Sequence, residues 1–329
     1  MGAGLLRSLD YDDDRDMSVV TRAEFEASLA ELRAQVGNPG EGILGPRSIA
    51  WRLGADLGLF LGGGRAALLQ LAHPMVAHAI DHHSSTRTDV LGRFQRTFRH
   101  VFAMIFGELE DAIAAARRVH AIHTRVHGTI ADAMGGWPAG SAYHANDVDA
   151  LRWVHATLID TTIVVRELLD GPIDVAVKDA YMVELYRFGA LFGIPRTALP
   201  GTWAAHTAYM ADMFAGDRLV VAPCAREMAR FLVGRGAGAQ PPLGRIVELV
   251  THALLPPPIA EQFALRGAPR LTRAGLSAFA AVYSRLPRAV VALPAYAEAR
   301  NRLAGRGPSR FSAWTERQLF GLAQRATGG

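Results

Sequence analysis

Apolar residues recur along this chain at intervals of three and four over most of its length, the spacing of amphipathic helices. The clearest case runs from about Glu108 to Ile130. At about 100° per residue, Leu109, Ile113, Ala116, Val119, Val126 and Ile130 share one arc, while Asp111, Arg117, Arg118 and Arg125 fall away from it. The same spacing predicts helices over 21–36, 48–61, 64–80, 91–105, 108–134, 147–169, 173–191, 203–214, 224–233, 243–255, 273–283, 288–303 and 312–326. Pro and Gly punctuate them, as in Gly193-Ile194-Pro195 and Pro256-Pro257-Pro258, and 234–244 reads as a flexible surface loop. No alternating β-branched run separates the helices, and no repeat of fixed period is present. The expectation is an all-α protein: a single large multi-helix domain over 45–305, a one-helix extension over 1–44 before it and a C-terminal helix over 306–329.

Composition bounds the chemistry. A chain of 329 residues that is 50% hydrophobic can bury a sizeable core. Its single cysteine, Cys224, excludes an intramolecular disulfide and any Cys-rich zinc or iron–sulfur site. No apolar run approaches the roughly 18–20 residues of a membrane span. The start of the chain, with Asp10, Asp12, Asp13 and Asp14, lacks the basic and apolar regions of a signal peptide. The expected location is cytoplasmic. The formal charge of +4 is unevenly spread, with eleven Arg against two Glu from Ala264 onward. Such a surface suits nucleic acid or anionic lipid. These arginines alternate with apolar residues at helical spacing, and no aromatic-rich basic strand accompanies them. No nucleic-acid role is expected, and any membrane contact would be peripheral.

Ten of the twelve histidines fall between His73 and His155. One helix through 108–130 would present His120, His123 and His127 side by side, projecting from its apolar arc. Buried imidazole is costly without a partner, so each needs a hydrogen bond, a metal or a haem. A metalloprotease pattern needs Glu directly after the first His of a pair, and Thr124 follows His123 while Ala79 follows His78. A di-iron bundle needs two Glu-x-x-His segments, and a serine hydrolase a Gly-x-Ser-x-Gly elbow; neither is present. A b-type haem needs one axial imidazole from an apolar helical pocket and no cysteine. Taken singly, each histidine reads as a core residue satisfied by backbone or water. Taken together they favour a haem. A second predicted helix supports that reading, since His155 shares an arc with Leu151, Val154, Leu158, Thr162 and Val165. On a third helix Arg93, Arg96 and Thr97 occupy one turn of one face, roughly opposite Phe94, Phe98, Val101, Phe102 and Ile105, so periodicity alone leaves the arginines solvated. Gly62-Gly63-Gly64-Arg65 before a helix could hold an anion, although a tight turn is the commoner use of such a run.

The segments Gly64-Arg65 through His73-Pro74, Asp81-His82-His83-Ser84, Arg93-x-x-Arg96-Thr97, His123-x-x-Val126-x-Gly128, Tyr143-x-Ala145-Asn146-Asp147 and Trp153-Val154-His155-Ala156 follow one another in an order that resembles the family joining the MpaB oxygenase with bacterial latex-clearing rubber oxygenases. Gly193-Ile194-Pro195 and Leu254-Leu255-Pro256 extend the likeness, which covers roughly 45–305. It implies an all-helical domain with a globin-like core, haem b, and dioxygen as co-substrate for oxidation of a hydrophobic unsaturated small molecule. It places His123 as the proximal iron ligand, with His120, His127 and Arg65 as further cofactor-binding candidates. His155 matches the other core histidine, and Arg93, Arg96 and Thr97 match the distal, catalytic stretch. Arg96 stands where the rubber oxygenases carry lysine; a guanidinium stays protonated and is a poor iron ligand, so a lysine-like cap on the iron is not expected. An electron donor is compatible with this chemistry. A non-catalytic haem carrier or sensor, and a structural helical protein without haem, satisfy the residue pattern as well.

Overall fold

A computed structural model describes residues 17–83, 90–235 and 241–307, with the side chains of 90–96 and of Pro269 outside the description. The regular structure of the described residues is helical except for one small hairpin and isolated bridges. In chain order it forms α1 (Arg22–Gln35), α2 (Ile49–Leu53), α3 (Gly63–Leu71), α4 (Pro74–His83), α5 (Val90–Phe106) and α6 (Leu109–His123). Strands β1 (His127–Thr129) and β2 (Ala142–His144) then precede α7 (Val148–Asp170), α8 (Val175–Ala190), α9 (Trp203–Ala215) and α10 (Pro223–Leu232). The last are α11 (Pro242–Leu254), α12 (Pro257–Gln262), α13 (Pro269–Tyr283), α14 (Arg288–Val291) and α15 (Pro294–Leu303). The expected helix at 312–326 lies outside the described residues.

Helix α7 is the axle. It is capped by Asp147, whose Oδ1 accepts from Ala150 N at 2.9 Å, and it is buried on nearly every side, with Leu151, Trp153, Ile159, Ile163, Val165 and Leu169 all inside. A helix apolar around its circumference belongs in the middle of a domain. Helices α3, α8 and α13 pack around it. Helix α1, opened by a capping box between Thr21 and Glu24, sends Phe25, Leu29 and Leu32 into the same core cluster as Ile113 of α6 and Leu185 of α8.

Three predicted helices are broken, each at a residue that explains the break. The run over 64–80 divides into α3 and α4 at Pro74, which has no N–H to continue the ladder. Pro294 likewise separates α14 from α15. The run over 48–61 stops at Gly54, after which Asp56 turns the chain into a 3₁₀ segment, Leu57–Gly62, by accepting from Gly58 N at 2.9 Å.

The fourth correction bears on the site. Helix α6 does not run to 130 or 134; it ends at His123. Thr124 closes it, its Oγ1 and N both donating to His120 O at 2.9 Å. The chain then pairs antiparallel, His127 opposite His144 and Gly128 opposite Tyr143. A Cβ on Gly128 would stand 2.6 Å from Tyr143 Oη, so glycine is what lets the phenol lie across the strand. His127 therefore does not share a helix face with His120 and His123. Ile130, placed by periodicity on the helix arc, instead packs with Met75, Trp137 and Tyr143.

Candidate functional site

The end of α6, the end of α4 and the hairpin between them gather seven histidines: His78, His82 and His83 from α4, His120 and His123 from α6, His127 and His144 from the strands. His83 Nε2 lies 3.1 Å from His127 O. A carbonyl can only accept, so that nitrogen carries the proton. Tyr143 Oη lies 3.3 Å from the same nitrogen and 2.8 Å from His82 Nδ1, which orders the chain as His83 N–H, then the phenol, then His82 as acceptor. Burial raises the Tyr143 hydroxyl above its ordinary pKa, with Asp81 adding to the shift, and keeps it protonated. His144 Nδ1 accepts from Asn146 N at 2.9 Å, and its ring stacks on His127 with centroids 6.0 Å apart.

Burial favours the neutral form of three of these imidazoles. Burial lowers the pKa of His78, with His82 adding to it. Burial lowers His120, and it lowers His144 with help from His127 and His120. His120 stacks face to face on Phe25 of α1, centroids 4.1 Å apart, and its Nδ1 is buried without a hydrogen-bond partner. His123 is half-buried one turn further on, and His127 is exposed.

Helix α5 runs antiparallel to α6. Ala103 and Ala114 line one groove with Arg99 and Arg118, and Arg99 and Arg118 both bear electrostatically on His100. The same register continued by one turn sets positions 96 and 97 level with His120 to His123. Thr97 is exposed. Arg93 and Arg96 lie on α5, but their side chains are outside the described part of the structure. The groove itself, roughly 330 Å³ between α5, α6 and α15 with Phe102, Ala103 and Phe106 in its floor, is not part of this cluster. Nine residues at about 100° each put Ala114 and His123 on opposite sides of α6.

The remaining residues singled out from sequence sit elsewhere. His155 is buried between α7 and α8, where its Nε2 donates to Leu185 O at 3.1 Å and its ring stacks on Phe188. Burial pushes its pKa down to about 4, so it is neutral. Arg65 of α3 is buried, its three donating nitrogens directed to Asp160 Oδ2 at 2.5 Å, Thr161 Oγ1 at 2.7 Å and Leu254 O at 2.9 Å. His206 completes this group, its Nε2 lying 3.6 Å from Asp160 Oδ1. Sequence reasoning passed over Asp160, His206 and the Tyr143–His82–His83 chain. Only Tyr143 and the histidine pair carried any signal, through the motifs that contain them.

Asp147 joins the hairpin to α7 and gives a pH-dependent prediction. Burial raises its carboxyl from 3.8 to about 6. A folded pKa above the unfolded one means that the charged form is penalised in the fold. The penalty is complete above pH 6 and is relieved as pH falls towards 3.8. Asn at this position keeps the oxygen that caps α7 and removes the charge. Asp147→Asn is therefore expected to stabilise the protein by up to about 3 kcal/mol at pH 7 and to leave it unchanged near pH 4. Thermal midpoints at the two pH values check this, and an equal gain at both would refute the burial argument.

Each cofactor makes its own demand on this donor set. Among the described residues no three His, Cys, Asp or Glu side chains converge as a multidentate metal site requires. A b-type haem asks only for one neutral imidazole beside apolar walls. The end of α6 fits that demand, with an orphaned imidazole nitrogen on His120, whose ring stacks on Phe25, and a half-buried His123 one helical turn beyond Val119. A family model described as the catalytic domain of ER-bound oxygenase mpaB/B' and rubber oxygenase matches residues 51–285. No curated protein and no solved structure matches the chain.

Proposed function

From the premise that this chain belongs to the mpaB/B' and rubber oxygenase catalytic-domain family, we propose that it is a haem-b-dependent oxygenase of a hydrophobic, unsaturated small molecule. The observation that carries this reading is the end of α6, where burial favours the neutral form of His120 beside the half-buried His123, at the level of Thr97 on α5. His123 is the residue assigned to the iron. Its helix turn is fixed from outside by Thr124 and by the α1 cover, through the Phe25–His120 stack and the Arg117–Glu26 ion pair. Bound haem would supply activation of dioxygen for oxygenation or cleavage of a carbon–carbon double bond.

The chain's own part is binding and positioning. Thr97 offers a hydroxyl donor from α5, and Arg93 and Arg96 are assigned to the same side of the site. The Tyr143 hydroxyl fixes His82 and His83 against β1, so the segment that follows His123 cannot swing away. His155 and Arg65, the catalytic and cofactor-binding candidates, also tie α7 to its neighbours through hydrogen bonds to Leu185 O and to Asp160, Thr161 and Leu254 O. The absorption spectrum of the purified protein, read with its dioxygen uptake in the presence of terpenoid and polyketide alkenes, tests the reading. A Soret band and alkene-dependent uptake are expected. Protein that stays colourless after incubation with haem would overturn the haem assignment, and a Soret band without uptake would reduce the protein to a haem carrier or sensor.

A further inference from the structure

Helix α13 shows apolar residues on both sides. Its inner face packs through Ala280 and Tyr283 against Val165 and Leu169 of α7. On its other side Leu271, Ala274, Gly275, Ala278 and Val282 fall on one helical face, and all are exposed. Leu271 keeps 78% and Val282 64% of its surface in water. Phe279 borders this stripe, and Leu286 and Val290 continue it beyond the helix. The neighbouring α11 adds Leu243 and Ile246, both exposed. Single exposed apolar side chains are ordinary, but a continuous stripe over several turns marks a surface that another body covers.

Charge identifies that body. Between Glu261 and Glu298 the chain carries five arginines and no Asp or Glu. Arg270, Arg273, Arg285 and Arg288 are all exposed, and none forms an ion pair among the described residues. A second copy docked on this stripe would bring arginine against arginine. A nucleic acid would satisfy the arginines but leave the leucine, phenylalanine and valine in water. An anionic lipid surface takes both, the apolar stripe entering the acyl boundary and the guanidiniums meeting headgroups. We infer that α13 is a membrane-docking helix that seats the protein on an anionic bilayer from one side. None of the described helices is long and apolar enough to cross. This inference stands on the surface alone and is independent of the oxygenase assignment.

Flotation of the full-length protein with vesicles of phosphatidylcholine, alone or mixed in equal parts with phosphatidylserine, tests it. Wild type is expected to float with the mixed vesicles and to be released by high salt. Leu271→Ser with Val282→Ser should lower partitioning on the order of 10-fold, and Arg270→Gln with Arg273→Gln by about 30-fold. All four side chains are exposed, so the far-ultraviolet spectrum and the melting midpoint should match wild type. Undiminished binding by the Leu271/Val282 variant would overturn the proposal, as would absence of wild-type flotation. A wild-type dimer in sedimentation that the same variant converts to monomer, without vesicle binding, would assign the stripe to a second copy instead.

Discussion

Arg65→Met is expected to destabilise the haem-free protein by about 3–5 kcal/mol, the usual consequence of removing one partner from a buried ion pair. The guanidinium is 4% exposed and joins three helices, reaching Asp160 and Thr161 on α7 and the Leu254 carbonyl at the end of α11. Burial alone would push the Asp160 carboxyl up, but His206 and Arg65 outweigh it and hold the pKa below the usual carboxylate range. Without Arg65 the carboxylate keeps only His206, and the Leu254 carbonyl loses its donor. Asp160→Asn in the Arg65→Met background removes the stranded charge, so the double variant should lose less than the two single losses combined. Urea midpoints of the four proteins at neutral pH measure the coupling, and strictly additive losses would show that the pair shares no energy. The same series separates two roles for Arg65. A structural clamp lowers stability without haem present, whereas a cofactor contact lowers haem content and leaves the haem-free protein unaffected.

How much of this was legible in the sequence depends on the range of the interaction. Helical periodicity needs only neighbours three and four residues away, and it located α1, α5, α7, α8, α9 and α11 to within a few residues. It misjudged the inner face of α7, because a helix buried all round has no single apolar arc; Val154, Leu158 and Thr162 are only half-buried while Trp153 and Ile163 are fully inside. It carried α6 through the hairpin because strands of three residues are too short to show alternation. Gly128 was the local warning, and its meaning depends on Tyr143, fifteen positions later. The Arg65–Asp160 and Arg166–Asp56 pairs were illegible for the same reason, since each reads as a stray charge on an apolar helix until a residue about a hundred positions away supplies its partner. Family resemblance filled part of that gap: it drew attention to His123, Tyr143 and Asn146, which the fold gathers around the end of α6.

His123→Ala is expected to abolish most haem binding, with apparent affinity falling by at least about 100-fold, while the far-ultraviolet helical signal persists. The side chain is half-buried on the last turn of α6 and the helix is capped independently by Thr124, so its truncation removes a ligand rather than a foundation. His127→Ala should bind haem nearly as wild type does, because His127 is exposed on β1 and makes its ring contact with His144. His120→Ala removes the stack on Phe25 and should lower stability by about 1 kcal/mol with haem content largely kept. A ligand that binds only the folded state stabilises it by about 3 kcal/mol at a hundredfold excess over its Kd. Melting midpoints with and without haem therefore sort the three variants: wild type and His127→Ala should gain, His120→Ala should gain from a lower start, and His123→Ala should gain nothing. Loss of the gain in His120→Ala alone would move the iron to the imidazole whose Nδ1 is buried without a partner. Equal gains in all three would place any haem outside this cluster and leave the histidines as packing between α4, α6 and the hairpin.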